Sequence, residues 1–311
     1  MVLRKDLKEH LPVLLHELLT ALEGRSIARF IDATVGAGGH SEEILKAHPE
    51  VFTAYLNDRD LEALALAKEV LAPWQEKLVW IHGNFSDLFE REIPPCQLLL
   101  ADLGVSSMQL DRSERGFSFS RSGPLDMRMD TSKNLTAADV VNGYTESALT
   151  EVMWRGEVPA ARSIARRIVE NRERKPFQTT QELVDLLYGL CKNANRRSPI
   201  HPLTLVFQAL RMEVNGELSS LEAFLKRALD SLEPGGLLAV ISFHSLEDRL
   251  VKQFMRYESD DKESTEGRGG VFLDKQPTLK VLTRKPITAT EEEMIGNPRA
   301  RSAKMRIAEK L

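Results

Sequence analysis

Short apolar runs alternate with helical stretches through the first hundred residues. ARFIDAT, FTAYLND, LVWIHGN and CQLLLADLG read as strands, while SEEILKAH and DLEALALAKEVLA repeat apolar positions at helical spacing. Strand, helix, strand at this interval predicts a parallel sheet with crossover helices. QLLLADL lacks polar alternation, as expected where both faces of a strand are covered.

The rhythm then stops. Between residues 112 and 210 the segments SALTEVMW, PAARSIARRIVENR and TTQELVDLLYGLCKNA have helical periodicity, behind a Gly/Pro-containing linker, GFSFSRSGPLDMRMD. The α/β pattern resumes with the amphipathic helix GELSSLEAFLKRALDSL, the turn EPGG and the strand LLAVISF. LKVLTRKPI and SAKMRIAEK read as a final strand pair. The chain therefore reads as one doubly wound α/β sheet, residues 1–111 and 211–311, with a helical domain inserted at 112–210. The N-terminal MVLRKDLKEHLPVLLHELLTAL predicts an amphipathic helix rather than a signal peptide, because His10, Pro12, His16 and Glu17 interrupt its apolar stretch. ESDDKESTEGRGG, residues 258–270, predicts a mobile loop.

Composition narrows the picture. At 311 residues, 42% hydrophobic and 28% charged, the chain is an ordinary soluble protein, and no run approaches the roughly 18 apolar residues of a membrane span. Cys96 and Cys191 form no CxxC or His/Cys cluster, which argues against a disulfide framework or zinc site and fits a reduced, cytoplasmic compartment. The net charge of −4 names no partner. Residues 155–197, however, hold ten Arg/Lys, Arg166 and Arg167 among them, against five Asp/Glu. That local excess marks the insertion as a candidate RNA-facing surface, with NPRARSAKMR a second basic candidate.

The chemistry concentrates at the ends of the predicted strands. DATVGAGGHS puts Gly36, Gly38 and Gly39 between the first strand and its helix, where doubly wound folds bind nucleotide-like cofactors. Asp58 ends the second strand, where a carboxylate accepts ribose hydroxyls in NAD and S-adenosylmethionine sites alike. The dinucleotide fingerprint needs glycine at position 41, which is Ser41, and Asp32 ahead of the turn suits the cationic S-adenosylmethionine better. Phe85 and Asn84 follow the third strand as candidate adenine contacts. Asp102, at the end of the fourth strand's apolar run, is placed to meet both methyl donor and acceptor.

DATVGAGGHS, LLADLGVSSMQLDRSERGFSF, GPLDMRMD, FQALRMEVNGEL, ISFHSLEDR and NPRARSAKMRIAEK occur in order, and together they resemble the RsmH (MraW) family. The resemblance implies a Rossmann-like class I methyltransferase with a helical insertion. It implies methylation by S-adenosylmethionine of the N4 amine of a cytidine in the decoding centre of 16S rRNA. The substrate would be the small ribosomal subunit or a late assembly intermediate, and a homodimer is compatible with it. Carried over by position, the cofactor contacts would be Gly38, Gly39, His40, Asp58, Phe85, Asp102 and Gln109. The insertion departs from the family's pattern at WRGEVPAARSIARRI and HPLTLVFQALRM.

Cytosine's exocyclic amine is a poor nucleophile, so the expected catalysis is alignment plus hydrogen-bond acceptance by Asp102, with no metal required. ADLGVSS lacks the prolines and aromatic of the usual amino-methyltransferase loop. Phe243 is therefore the candidate for stacking on the base, with His244 as a base or phosphate contact or a buried structural histidine. An NAD-dependent oxidoreductase and a non-catalytic RNA-binding protein are the competing readings.

Overall fold

Each apolar run of the first hundred residues becomes a strand: β1 Arg29–Asp32, β2 Thr53–Asp58, β3 Leu78–His82 and β4 Cys96–Asp102. The computed structural model describes residues 12–194, 201–264 and 272–311. Later strands are β5 Leu232–Ser242, β6 Lys262–Ser264, β7 Phe272–Asp274, β8 Leu279–Val281 and β9 Lys304–Lys310. Seven of them form one sheet in the order β3-β2-β1-β4-β5-β9-β8, and β6 pairs with β7 separately. β1 to β5 run parallel, while β9 is antiparallel to both β5 and β8. The order reverses between β1 and β4, the switch point at which such sheets bind ligands.

Successive strand residues face opposite sides of the sheet, and here both sides are buried. Phe30, Leu56, Leu98, Leu100 and Ile241 enter one core, which Leu18, Ile44 and Leu64 cover from helices Leu15–Leu22, Gly39–Ala47 and Leu61–Val70. Ile31, Leu99, Ala101, Leu238 and Val240 enter the other, covered by Leu221, Phe224 and Val251 from helices Glu217–Ala228 and Ser245–Ser259. Double coverage is why these strands show no polar alternation.

The chain divides into two compact units, Met1–Gly104 with Leu218–Leu311 and Val105–Glu217. The sequence reading puts the joins at 111 and 211. The second unit is helical, with Ala137–Gly143, Glu146–Arg155, Ala161–Arg172, Thr180–Ala194 and Pro202–Asn215 around its own core of Val140, Leu149, Ile164, Leu183 and Val206.

Four local expectations need correction or limits. The segment read as a linker, GFSFSRSGPLDMRMD, is packed, because Leu125, Met127 and Met129 bury themselves in the helical core. Gly116 opens it at φ +72°, and an added Cβ would lie 2.0 Å from the carbonyl oxygen of Pro124. EPGG is an irregularity within β5 rather than a turn before it: pairing with β4 slips between Cys96 and Leu98, and Gly235 takes φ +81°. The predicted loop 258–270 begins as helix and continues into β6, while 265–270 lie outside the described residues. Residues 1–11, Arg196 and Arg197 also lie outside them, and the N-terminal helix is described over Leu15–Leu22.

Phe224 is fully buried, with its ring 5.2 Å from Phe85 in an edge-on contact and 5.5 Å from Phe89. Phe224→Ala is expected to lower the unfolding free energy by about 3–5 kcal/mol in a urea titration, and a loss below about 1 kcal/mol contradicts this packing.

Candidate active site

Parallel register assembles the site. Asp32, at the end of β1, pairs with Leu56 of β2 and Leu100 of β4, and Asp58 and Asp102 each stand two residues beyond those partners. Three carboxylates thus gather at the carboxyl ends of three adjacent strands. Asp32 Oδ2 accepts from Ser41 Oγ at 2.6 Å, and its Oδ1 accepts from the Thr34 N–H at 3.2 Å. Thr34 Oγ1 in turn accepts from the Asp102 N–H at 2.7 Å, joining the β1 and β4 tips. Asp58 accepts from the N–H of Gly36 at 2.8 Å and of Asp60 at 2.9 Å, one on each oxygen. Asn57 Nδ2 donates to the carbonyls of Ala33 at 2.9 Å and Gly83 at 3.2 Å, tying together the loops after β1 and β3.

The glycines of the turn serve the chain as well as any ligand. Gly36 and Gly38 have φ of +53° and +91°, in the left-handed region that favours glycine. At Gly39 an added Cβ would lie 2.6 Å from Pro12 Cγ, and at Gly38 it would lie 3.2 Å from Leu71. Part of what approaches this turn is the protein's own apolar packing.

His40 and Asp102 face one another. His40 Nε2 lies 2.9 Å from the carbonyl of Val13, which can only accept, so this nitrogen carries the proton. The bare Nδ1 is then 3.7 Å from Asp102 Oδ2. Burial lowers the His40 pKa to about 4. Asp102 Oδ1 is buried and has no hydrogen-bond partner among the described residues. Burial, followed by the charges of Asp32 and Glu247, holds Asp102 well above the usual carboxylate range. Burial likewise pushes Asp32 and Asp58 up to about 6.

The remaining predicted residues divide. Phe85 is buried against Phe224, and the Asn84 amide donates to Ser220 Oγ at 2.7 Å. Phe243 is half-buried beyond the end of β5, and an added Cβ at Gly104 would touch its ring at 3.4 Å. His244 caps helix Ser245–Ser259, with Nδ1 accepting from the Glu247 N–H at 3.4 Å. Gln109 belongs to the helical unit, where its carboxamide oxygen accepts from the Ser106 N–H at 3.0 Å in a capping box. Arg166 and Arg167 are exposed on helix Ala161–Arg172, with Arg166 paired to Glu170 at 2.8 Å.

Residues 7–311 match the family model described as the MraW methylase family. The chain belongs to that family. The "Ribosomal RNA small subunit methyltransferase H" of Trichormus variabilis is 49% identical over 97% of this chain and 92% of its own length. The protein of the same name from Protochlamydia amoebophila is 50% identical, covering 97% of each chain. Among solved structures, a putative rRNA-methylase from Clostridium thermocellum covers 97% of this chain at 11% identity and a TM-score of 0.46. Family membership sets aside the NAD-dependent oxidoreductase.

The methyl donor of this methylase is S-adenosylmethionine, and the groups at the strand ends fit it. The donor is a cation at sulfur and has two ribose hydroxyls to give. Asp102 Oδ1 is an unused buried acceptor, and each Asp58 oxygen retains room for a further hydrogen bond. Gly83 leaves open space beside the β3 end, with no atom within 4 Å of an added Cβ. Asp58 and Asp102 were legible as polar ends of apolar runs. Thr34, Ser41 and Asn57, which hold those carboxylates and loops in place, went unnoticed as organisers. Their signal was present as polar residues embedded in IDATVG, GGHSEE and YLND.

His40 is expected to stay neutral with the proton on Nε2 down to about pH 5. Nitrogen-15 NMR of the ring checks this, and a midpoint near its ordinary value of 6.5 contradicts the buried pairing with Val13.

Proposed function

We propose that this methylase transfers the methyl group of S-adenosylmethionine to the exocyclic N4 amine of a cytidine in the decoding centre of 16S rRNA. The observation that carries the proposal is Asp102 Oδ1, an acceptor buried at the β4 end without a partner among the described residues. An exocyclic amine gaining positive charge is a hydrogen-bond donor that suits such a group. When bound, S-adenosylmethionine supplies a methyl group already activated by its sulfonium.

The chain's own residues then divide the remaining work. Asp58 accepts the ribose hydroxyls while the N–H groups of Gly36 and Asp60 fix its orientation. Asp102 in its ionised form accepts hydrogen bonds from the amine and takes its proton after transfer. The Thr34 hydroxyl accepts from the Asp102 backbone N–H and so fixes the β4 end. Phe243, near Gly104, is the residue proposed to stack on the base. The target cytidine must leave any stack to reach Asp102. In the helical unit, Arg162, Arg167 and Arg174 have no acidic partner among the described residues, and they supply cations for the RNA backbone. The names borne by relatives support a small-subunit rRNA substrate, and a subunit or late assembly intermediate is the proposed form.

The wild type is expected to transfer radiolabelled methyl groups to unmodified small subunits, with N4-methylcytidine released on nuclease digestion. Asp102→Asn should lower kcat by about 10²-fold or more. A different modified nucleoside overturns the cytidine assignment, and wild-type kcat in the variant overturns the role of Asp102. Because the acceptor is the ionised form and burial raises its pKa, activity should fall as pH is lowered, from well above the usual carboxylate range. An acid limb at an ordinary carboxylate value contradicts this.

A further inference from the structure

At the β8 edge of the sheet, a groove of about 570 Å³ runs between helix Ser245–Ser259 and the segment from Pro277 to Arg284. Lys252 and Arg256 line it from the helix, one turn apart, and Lys280 and Arg284 line it from the other wall. Met255, Leu279 and Val281 contribute apolar surface. The lining contains no aspartate or glutamate side chain.

What sets these four cations apart is that they surround a single groove. All four residues are exposed, and none meets a carboxylate side chain among the described residues. Arg306, which also lines the groove, is held by Asp248 at 2.7 and 3.2 Å. In the helical unit, pairing neutralises Arg155 with Glu151, Arg166 with Glu170 and Lys175 with Glu182. Four unpaired cations around one concavity repel one another, and a chain of net charge −4 concentrates them there.

The geometry points to a polyanion. We infer that this groove anchors backbone phosphates of the rRNA substrate, at a distance from the reacting base. The inference rests on the rRNA substrate proposed above. Val281 aligns through Ala308 with Leu238, whereas Asp102 aligns with Ile241. Three strand spacings of about 4.8 Å and three residues of about 3.3 Å therefore put β8 roughly 17 Å from the Asp102 end. An extended RNA strand spans that interval in a few nucleotides. Two walls of point charges over an apolar floor grip a backbone without reading its sequence.

The test is fluorescence anisotropy of a labelled, unmodified small-subunit rRNA transcript over a potassium chloride series. The variant carries Lys252→Ala, Arg256→Ala, Lys280→Ala and Arg284→Ala. Its affinity is expected to fall at least about tenfold, and the slope of log K against log salt to shrink by about 3, as loss of four phosphate contacts requires. Melting temperature and S-adenosylhomocysteine affinity should match the wild type. If the fourfold variant does not fold, the exposed single changes Lys280→Glu and Arg284→Glu are read instead, each lowering the slope by about 1. Wild-type affinity and slope in folded variants, beside a wild type that binds and methylates the rRNA, overturn the groove alone. A wild type that neither binds nor methylates rRNA overturns the substrate reading and the groove with it.

Discussion

Three carboxylates share the carboxyl end of the sheet, and among the described residues neither Asp32 nor Asp102 meets a lysine or arginine. Removing a carboxylate from water costs several kcal/mol unless hydrogen bonds or charge offset it. Asp32 is held by a hydroxyl and an N–H and Asp58 by two N–H groups, whereas Asp102 faces a histidine nitrogen with no proton to give and its Oδ1 has no partner among the described residues. The site is therefore short of positive charge. A cationic sulfonium supplies what the fold withholds at Asp32 and Asp102, and burial raises the pKa of all three carboxylates.

The architecture follows from where those groups must sit. Parallel pairing of β1 with β2 and β4 brings the three strand ends level, and covering both faces keeps the sheet rigid beneath them. The close packing of Gly39 on Pro12, with His40 held by Val13, ties the turn to the segment before helix Leu15–Leu22. Substitutions around Pro12 and Val13 thus bear on the tautomer of His40 and, through it, on Asp102.

The strands and their order of appearance were legible because doubly covered strands are apolar throughout and end abruptly at a polar residue. QLLLAD shows this most plainly. The packed segment Gly116–Asp130 was not, because Gly, Pro and Ser mark turns whether or not the residues between them are buried. EPGG carries the same ambiguity between a turn and a bulge. At the site, Asp58 and Asp102 stood out by position, but the capping roles of His244 and Gln109 depend on side-chain direction, which spacing does not reveal. Charge counting favoured the insertion, yet pairing on helix faces is a three-dimensional property. It pairs Arg155, Arg166 and Lys175 of the insertion with acids, and it gathers the four groove cations around one concavity.

The most direct measurement is proton-linked calorimetry near pH 6, with S-adenosylmethionine and its neutral-sulfur product S-adenosylhomocysteine each titrated in buffers of different ionisation enthalpy. A cation docking against carboxylates with raised pKa values drives protons off them, so the sulfonium donor should release more protons than the product. Equal release by the two ligands, or none by either, would contradict a site built around uncompensated negative charge.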